Sequence, residues 1–279
     1  DHIRGVGSLP LSCETMRRKE VDPNPSIKIL NESTTTALLD GGNGWQYCLG
    51  YDAIRLCIQK ARSHGLAMVG IRAQLGVLEP YMRMAASEHL IGFGTIQGPP
   101  VIAPTGGLKP TIGNNPTGFG FPTQKGVPVV LDISFSQSSV TPIFMAAKLG
   151  QKIPHGLVLD QDGNPTDDPH GIASSNRELT EFGAFGAGGS LVPIGGYKGY
   201  ALALSFGLLT SVFLGPRGPL TSPDRDWYYQ RPGTLFICID PGVFGTVDEF
   251  ELTLDSYLEA VNHSPRRRED ERIFYPGQK

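Results

Sequence analysis

Apolar residues recur along the whole chain in short runs whose spacing changes from one segment to the next. Between Tyr51 and His64, Ile54, Cys57, Ile58 and Ala61 fall at three- and four-residue intervals, with Arg55, Lys60 and Arg62 between them. That pattern predicts an amphipathic helix, and Gly65 supplies its C-terminal stop. A more polar helix over Leu11–Glu20, introduced by Pro10, has to end before Asp22-Pro23-Asn24-Pro25, because proline lacks the N–H and pushes its predecessor to extended geometry. Strands are predicted over 27–30 and 36–39, closed by the turn cluster Asp40-Gly41-Gly42-Asn43-Gly44, and again over 66–71. A helix over 81–89 and a strand over 90–95 follow. The Gly/Pro-rich stretch Gln97–Val127 reads as a long irregular loop. Pro128–Phe135 reads as the best buried strand, ahead of a short helix over 143–149 and a polar turn at 160–164. An apolar helix after Gly199, a strand over 235–240 and a last helix from Asp248 to Asn262 complete the pattern. In that last helix Phe250, Leu254, Tyr257, Leu258 and Val261 share a face, and Asp248 is the expected cap. Helices alternating with strands predict an α/β layer.

The 279 residues suffice for one large domain or two modest ones, and 36 glycines with 23 prolines call for many turns between short elements. With 24 basic and 27 acidic side chains the net charge is −3, which argues against a nucleic-acid binder. Cys13, Cys48, Cys57 and Cys238 include no C-x-x-C pair, so reduced thiols in a cytoplasmic protein are expected rather than a zinc site. Asp1–Leu9 is neither apolar nor basic enough for a signal peptide. The apolar stretch Tyr200–Leu214 is too short and too interrupted by Ser205, Gly207, Thr210 and Ser211 to span a bilayer, and it reads as a buried core helix.

Local signals for chemistry are few. Gly92-Phe93-Gly94 with Gly98 resembles a dinucleotide-binding turn, but Pro99-Pro100 stands where the helix facing the pyrophosphate should begin, so no Rossmann site is expected there. Asp160-Gln161-Asp162-Gly163-Asn164 lacks the closing glutamate of a calcium loop and reads as an acidic turn. None of the six histidines forms an i, i+4 metal pair, and His64 belongs to the end of its helix. Gly195-Gly196-Tyr197-Lys198-Gly199 opens the apolar helix, where free backbone amides and a mobile lysine charge suit an anion.

Taken together, several short motifs in order resemble the malate/L-lactate dehydrogenase family of the second type. This is the NAD(P)-dependent, non-Rossmann group that includes ureidoglycolate dehydrogenase and diketogulonate reductase. The motifs are Asp1-x-x-Arg4-Gly5, Leu38-Leu39-Asp40-Gly41-x-Asn43-Gly44, Val101-Ile102-Ala103-Pro104-x-Gly106-Gly107 and Gly113-x-Asn115-Pro116. Further on come Val130-Leu131-Asp132 with Ser136, Asp160-x-Asp162-Gly163-Asn164-Pro165, Gly195-Gly196-x-Lys198-Gly199-Tyr200 and Ile239-Asp240-Pro241. The resemblance implies an α/β fold in which a large mixed β-sheet forms the cofactor domain and the chain ends supply a helical part. Residues 66–240 would be the sheet-based NAD(P)-binding part. Residues 1–65 and 241–279 would be the helical, dimerising part, incomplete at both ends. It also implies NAD or NADP as cofactor, a small 2-hydroxy or 2-keto acid as substrate and a cytoplasmic homodimer, with neither nucleic acid nor membrane as partner. Gly76, Asn115, Asp132, Ser136, Lys198 and Gly199 match cofactor-side or active-site loop positions.

The departures from the family fall on its proton chemistry. The Ser-His-Gly-x-x-Arg element expected after the opening motif is replaced by Ser8-Leu9-Pro10, and Gln74 takes the place of the histidine of a His-Phe-Gly element. Tyr197, Thr234, Pro142 and Gly207 stand where histidine, histidine, lysine and glutamate are common. No catalytic residue is therefore assigned. A glutamine amide can bond a carbonyl but is no general acid. The alternative is a catalytically silent homologue that binds dinucleotide or pairs with another subunit.

Overall fold

The computed structural model describes residues 9–73, 75–172, 188–215 and 233–278. Seven strands form the larger sheet: β1 (Lys28–Glu32), β2 (Thr36–Asp40), β3 (Leu66–Arg72), β4 (Ile91–Ile96), β7 (Thr117–Phe121), β8 (Val129–Ile133) and β12 (Gly233–Ile239). Their spatial order is β1-β2-β3-β12-β4-β7-β8. β2 and β3 pair parallel, and the other neighbours pair antiparallel. This mixed sheet is the one expected, and it is not a Rossmann sheet, whose strands run mostly parallel. The boundary expected at residue 65 runs between hydrogen-bonded neighbours, since Thr36–Asp40 pairs with Met68–Arg72.

Helix α1 spans Leu9–Arg17, and α2 (Gln46–His64) makes the crossover between β2 and β3. The predicted stripe of α2 is its buried face, and Gly65 closes it in the left-handed conformation at φ 81°. The helix starts five residues earlier than expected, because Gly50 and the turn glycines before it weaken the helical signal there. α3 (Glu79–Ser87) lies on the same face of the sheet. Tyr81 of α3 packs edge-on against Phe236 at 5.5 Å, and burial pushes its phenol pKa well above the usual value.

The Gly-Phe-Gly runs of β4 and β7 are explained by α3. A Cβ on Gly120 would collide with the Met82 carbonyl oxygen, and one on Gly94 would come 2.8 Å from Leu78. Glycines thus face the helix, while Phe93 and Phe119 meet on the other face with centroids 5.1 Å apart. The glycine spacing serves close helix–sheet packing. The loop expected over 97–127 is accordingly corrected, since it contains β5 (Pro100–Ile102), β6 (Ile112–Gly113) and β7. Alternating glycine hides β7 from any reading based on strand propensity. A second correction concerns β8, which is an edge strand with Ile133 exposed rather than the best buried one. Its free edge receives the C-terminal segment through a Val130 N–H to Pro276 carbonyl bond of 3.0 Å.

The smaller sheet runs β10 (Pro165–Thr166), β9 (Val158–Leu159), β11 (Ser190–Leu191), β5, β6. With α4 (Val140–Lys148) it surrounds a second core of Val101, Ile102, Phe135, Ile143, Val158 and Leu191. Asp160 Oδ1 accepts the N–H groups of Asp162 and Asn164, both at 2.9 Å, closing the acidic turn. α5 (Tyr197–Gly207) continues into a π-helical turn, Leu208–Phe213, and touches β4 and β6. It buries small and hydroxyl residues (Gly199, Ala203, Gly207, Thr210, Ser211) and leaves Leu202, Leu204, Leu208, Leu209, Val212 and Phe213 exposed. The expected buried core helix is therefore only half covered.

The last helix, α6 (Val247–Asn262), is capped by Thr246 rather than Asp248. Thr246 Oγ1 accepts the Glu249 N–H, and the Glu249 carboxylate accepts the Thr246 N–H, a reciprocal capping box. Its buried positions are Glu251, Asp255 and Leu258, whereas Tyr257 of the expected apolar face is exposed. Glu251 meets His89 Nδ1 at 2.7 Å. Cys57 and Cys238 are buried free thiols, and Cys13 is exposed. Among the described residues no helix is long and apolar enough to cross a membrane, and no cluster of three metal-ligating side chains occurs.

Candidate active site

The chain leaving β8 meets two helices in succession. Asp132, Ser134 and Ser136 alternate along extended backbone and so share one side of it. Asp132 Oδ2 accepts the N–H groups of Leu78 (2.8 Å) and Glu79 (3.1 Å), placing a carboxylate at the positive end of α3. Gly76 lies in the loop just before those amides, against the Gln46 side-chain amide. The hydroxyls of Ser134 and Ser136 are 3.1 Å apart, and Ser136 Oγ donates to the Ser138 carbonyl at 2.7 Å.

Past Ile133 the same backbone pairs with the segment that leads into α5. Gln137 N–H donates to the Val192 carbonyl (2.8 Å), Ile194 N–H donates to the Phe135 carbonyl (3.0 Å), and Ser136 stands opposite Pro193. The glycine turn follows at once. Gly196 has φ 65° and ψ −124°, a conformation open in practice only to glycine. At Gly199 a Cβ would overlap the Ile194 carbonyl oxygen. No side chain caps α5, so its first amides point outward beside the exposed Lys198, whose ammonium has no partner among the described residues. Free helix N–H groups and an unpaired cation together suit a phosphate or carboxylate.

Asn115 fixes α5 against the sheets. It is fully buried at φ 37°, in the left-handed region that asparagine tolerates better than most residues. Its Oδ1 accepts the Gly98 N–H at 2.9 Å, and its Nδ2 donates to the Ala203 carbonyl at 2.6 Å, one turn beyond Gly199. Phe135 N–H donates to the neighbouring Asn114 carbonyl at 2.8 Å. The structure thus brings Asn115, Ser136, Lys198 and Gly199 together around the first half of α5. Gly76 and Asp132 meet at the N-terminus of α3. Gln74 lies outside the described residues, as do Arg4 and Ser8.

Several departures from the family pattern have local reasons. Gly207 leaves room for Asn115, since a Cβ there would come 2.8 Å from Nδ2. Thr234 is fully buried and donates to the Ala73 carbonyl at 2.9 Å, pinning the chain immediately before position 74. Pro142 falls in the first turn of α4, where no helical N–H is lost. Sequence reading missed Gln97, whose Nε2 donates to the Gly98 carbonyl (3.0 Å) and whose Oε1 accepts the Thr210 hydroxyl (3.1 Å). A single glutamine before a Gly-Pro-Pro turn carries no signal of that role. Among the described residues no histidine hydrogen-bonds any member of the cluster: His89 is paired with Glu251, and His263 bonds the Glu259 carbonyl.

A mixed, largely antiparallel sheet with an uncapped helix start at its side is an architecture distinct from that of the Rossmann enzymes. A family model described as malate/L-lactate dehydrogenase matches residues 2–279, and the chain belongs to that family. It is 31% identical over 264 residues to an L-sulfolactate dehydrogenase of Methanothermobacter thermautotrophicus, covering 93% of this chain and 73% of that protein. The solved sulfolactate dehydrogenase of Methanocaldococcus jannaschii superposes with a TM-score of 0.79 at 30% identity, covering 98% of this chain and 76% of that one. A Δ1-piperideine-2-carboxylate reductase from Pseudomonas syringae pv. tomato gives 0.81 at 26% identity, over 99% and 79% of the two chains. The relatives thus include oxidoreductases named for 2-hydroxy acids and for cyclic imine carboxylates.

Proposed function

We propose that this chain is a cytoplasmic NAD(P)-dependent oxidoreductase for a small 2-hydroxy or 2-keto acid, working as a homodimer. The observation that carries the reading is the uncapped start of α5, with Lys198 free among the described residues, inside a chain matched to the family over residues 2–279. The residues fit a dinucleotide unevenly. Lys198 and the first amides of α5 would hold phosphate oxygens, while Ser136, opposite Pro193 on the segment that leads into that turn, already donates its hydroxyl to the Ser138 carbonyl. Asn115 and Asp132 already use side-chain atoms on backbone groups and would shape the cleft rather than touch the cofactor. When bound, the nicotinamide supplies or takes up the hydride.

The protein's own task is then to orient the acid and move one proton. A glutamine at position 74 would hold the carbonyl oxygen without donating a proton, which costs about 10²–10⁴ in rate. A second reading, a dinucleotide-binding homologue with little turnover, is favoured by the lack of any histidine bonded to the cluster among the described residues. Fluorescence titration with NADH and NADPH tests binding. Absorbance of the reduced nicotinamide with malate, lactate, sulfolactate and their keto acids tests turnover. Binding weakened by Lys198→Ala, together with turnover, supports the enzyme. Binding without turnover supports the silent homologue, and no binding of either nucleotide overturns both.

A further inference from the structure

β2 and β3, the parallel pair of the larger sheet, end on Asp40 and Arg72, which stand opposite one another in register. In open α/β sheets ligands gather outside the carboxyl ends of such strands. Arg72 is half-buried on the sheet face where Leu214, just past the π-helical turn, packs over Gly70 and Gly233. Its Nε donates to the Leu214 carbonyl at 3.0 Å. Gly215, at φ 63°, lies so close that a Cβ there would come 2.9 Å from Nη2. One N–H is thereby used and the side chain is held in place. The terminal pair, Nη1 and Nη2, meets no acceptor among the described residues. Asp40 forms no ion pair with it, and Asp40 Oδ1 accepts the Gly42 N–H at 2.9 Å. A half-buried cation with its two-pronged end unmatched carries a desolvation cost that nothing among the described residues offsets.

We propose that Arg72 binds the carboxylate of the acid substrate. The inference rests on the oxidoreductase reading above and names the cation that recognises the acid. Nη1 and Nη2 form a planar fork that matches the two oxygens of a carboxylate with parallel, charge-assisted hydrogen bonds. The strand end that carries the fork is fixed, since the Thr234 hydroxyl donates to the Ala73 carbonyl at 2.9 Å. Position 74, where that reading puts the substrate carbonyl, is two residues further on, within about 7 Å of the Arg72 Cα. In a 2-hydroxy or 2-keto acid the carboxylate sits on the carbon next to the reacting one, so the two groups have to be gripped side by side. Lys198 is then left to the nucleotide phosphates.

Calorimetric titration of the full chain with oxamate, an unreactive carboxylate analogue of a 2-keto acid, tests this with and without NADH. Oxamate is expected to bind wild type, and to bind less tightly as salt is raised. Arg72→Gln should weaken oxamate on the order of 100-fold and leave NADH affinity unchanged. Arg72→Lys keeps the charge and a donor for the Leu214 carbonyl but loses the fork, and should weaken oxamate about tenfold. It also carries the test if the glutamine variant does not fold. Equal losses for oxamate and NADH would mark a structural role and overturn the proposal. So would a wild type that binds NADH but not oxamate, or variants that bind oxamate as wild type does; both results leave the oxidoreductase reading standing. Binding of neither compound overturns the two together. Oxamate binding without NADH binding overturns that reading alone, and the Arg72 variants still decide the carboxylate site.

Discussion

Asn115 offers the sharpest test of how the site is held, because one buried side chain joins the Gly98 turn to α5. Replacing it with alanine leaves the Gly98 N–H without its acceptor in a fully buried place, which costs about 1–3 kcal/mol. The Ala203 carbonyl loses a second bond but keeps its place in the helix. Alanine at φ 37° adds about 1 kcal/mol of backbone strain that asparagine tolerates. Asn115→Ala should therefore lose about 2–4 kcal/mol in urea unfolding, or roughly 4–10 °C in midpoint for a chain of this size. Asn115→Gly should recover only the strain, about 1 kcal/mol of the loss. Asn115→Asp keeps the acceptor but sets a carboxylate oxygen against the Ala203 carbonyl. Only its protonated form reproduces both bonds, so its folded pKa is raised and its stability should be best in acid and fall as pH rises through that pKa. An Asn115→Ala protein within about 0.5 kcal/mol of wild type would refute the clip.

Other expectations follow from single contacts. Gly120→Ala should destabilise by about 1–3 kcal/mol in urea, because the added methyl meets a backbone oxygen of α3 rather than a movable side chain. Thr246→Ala should cost about 1 kcal/mol, whereas Asp248→Ala should cost clearly less, separating the observed cap from the one the sequence suggested. Tyr81 is held protonated in the folded state, so its contribution is full below pH 10 and stability should fall as pH rises past its unfolded value. Tyr81→Phe should flatten that decline when unfolding midpoints are compared across the alkaline range. Lys198→Ala should weaken dinucleotide binding and reduce its salt dependence, as read by fluorescence titration.

Elements with a single apolar stripe were legible in the sequence: α2 with its Gly65 stop, and strands β2, β3 and β12 within a residue or two. What the sequence hid was set by contacts between distant segments. Gly118 and Gly120 resemble loop residues until Met82 is known to lie over them. The valine–leucine run of β8 looks central, yet its position at the edge is fixed by pairing order, which local pattern does not encode. In α5 the apolar count was right and its orientation was wrong. A helix can turn its small residues inward where the chain beside it leaves little room, as Gly199 against the Ile194 backbone and Gly207 against Asn115 demonstrate. For the candidate site, motif order suggested Asn115, Ser136, Lys198 and Gly199, but not the division between side chains left free and side chains committed to backbone. Gln97 and Thr210 had no motif at all.

The two halves of the candidate site are held by different hydrogen bonds on one stretch of chain, Asp132 serving the α3 side and Phe135–Gln137 the α5 side. The anion-facing turn at Lys198 is positioned by backbone pairing through Phe135–Gln137 and by the Asn115 clip, none of which involves the loop at 73–76. That loop is anchored on its own terms, by Thr234 at the Ala73 carbonyl and by Asp132 at the amides after Gly76. The bonds described for the α5 turn are made by Phe135–Gln137 and by Asn115. Gln74→His should accordingly leave nucleotide affinity within about threefold while altering turnover and its pH profile, since only the proton-handling position changes. If nucleotide affinity instead fell tenfold or more, the supports would be coupled and the independence of the two halves would be lost.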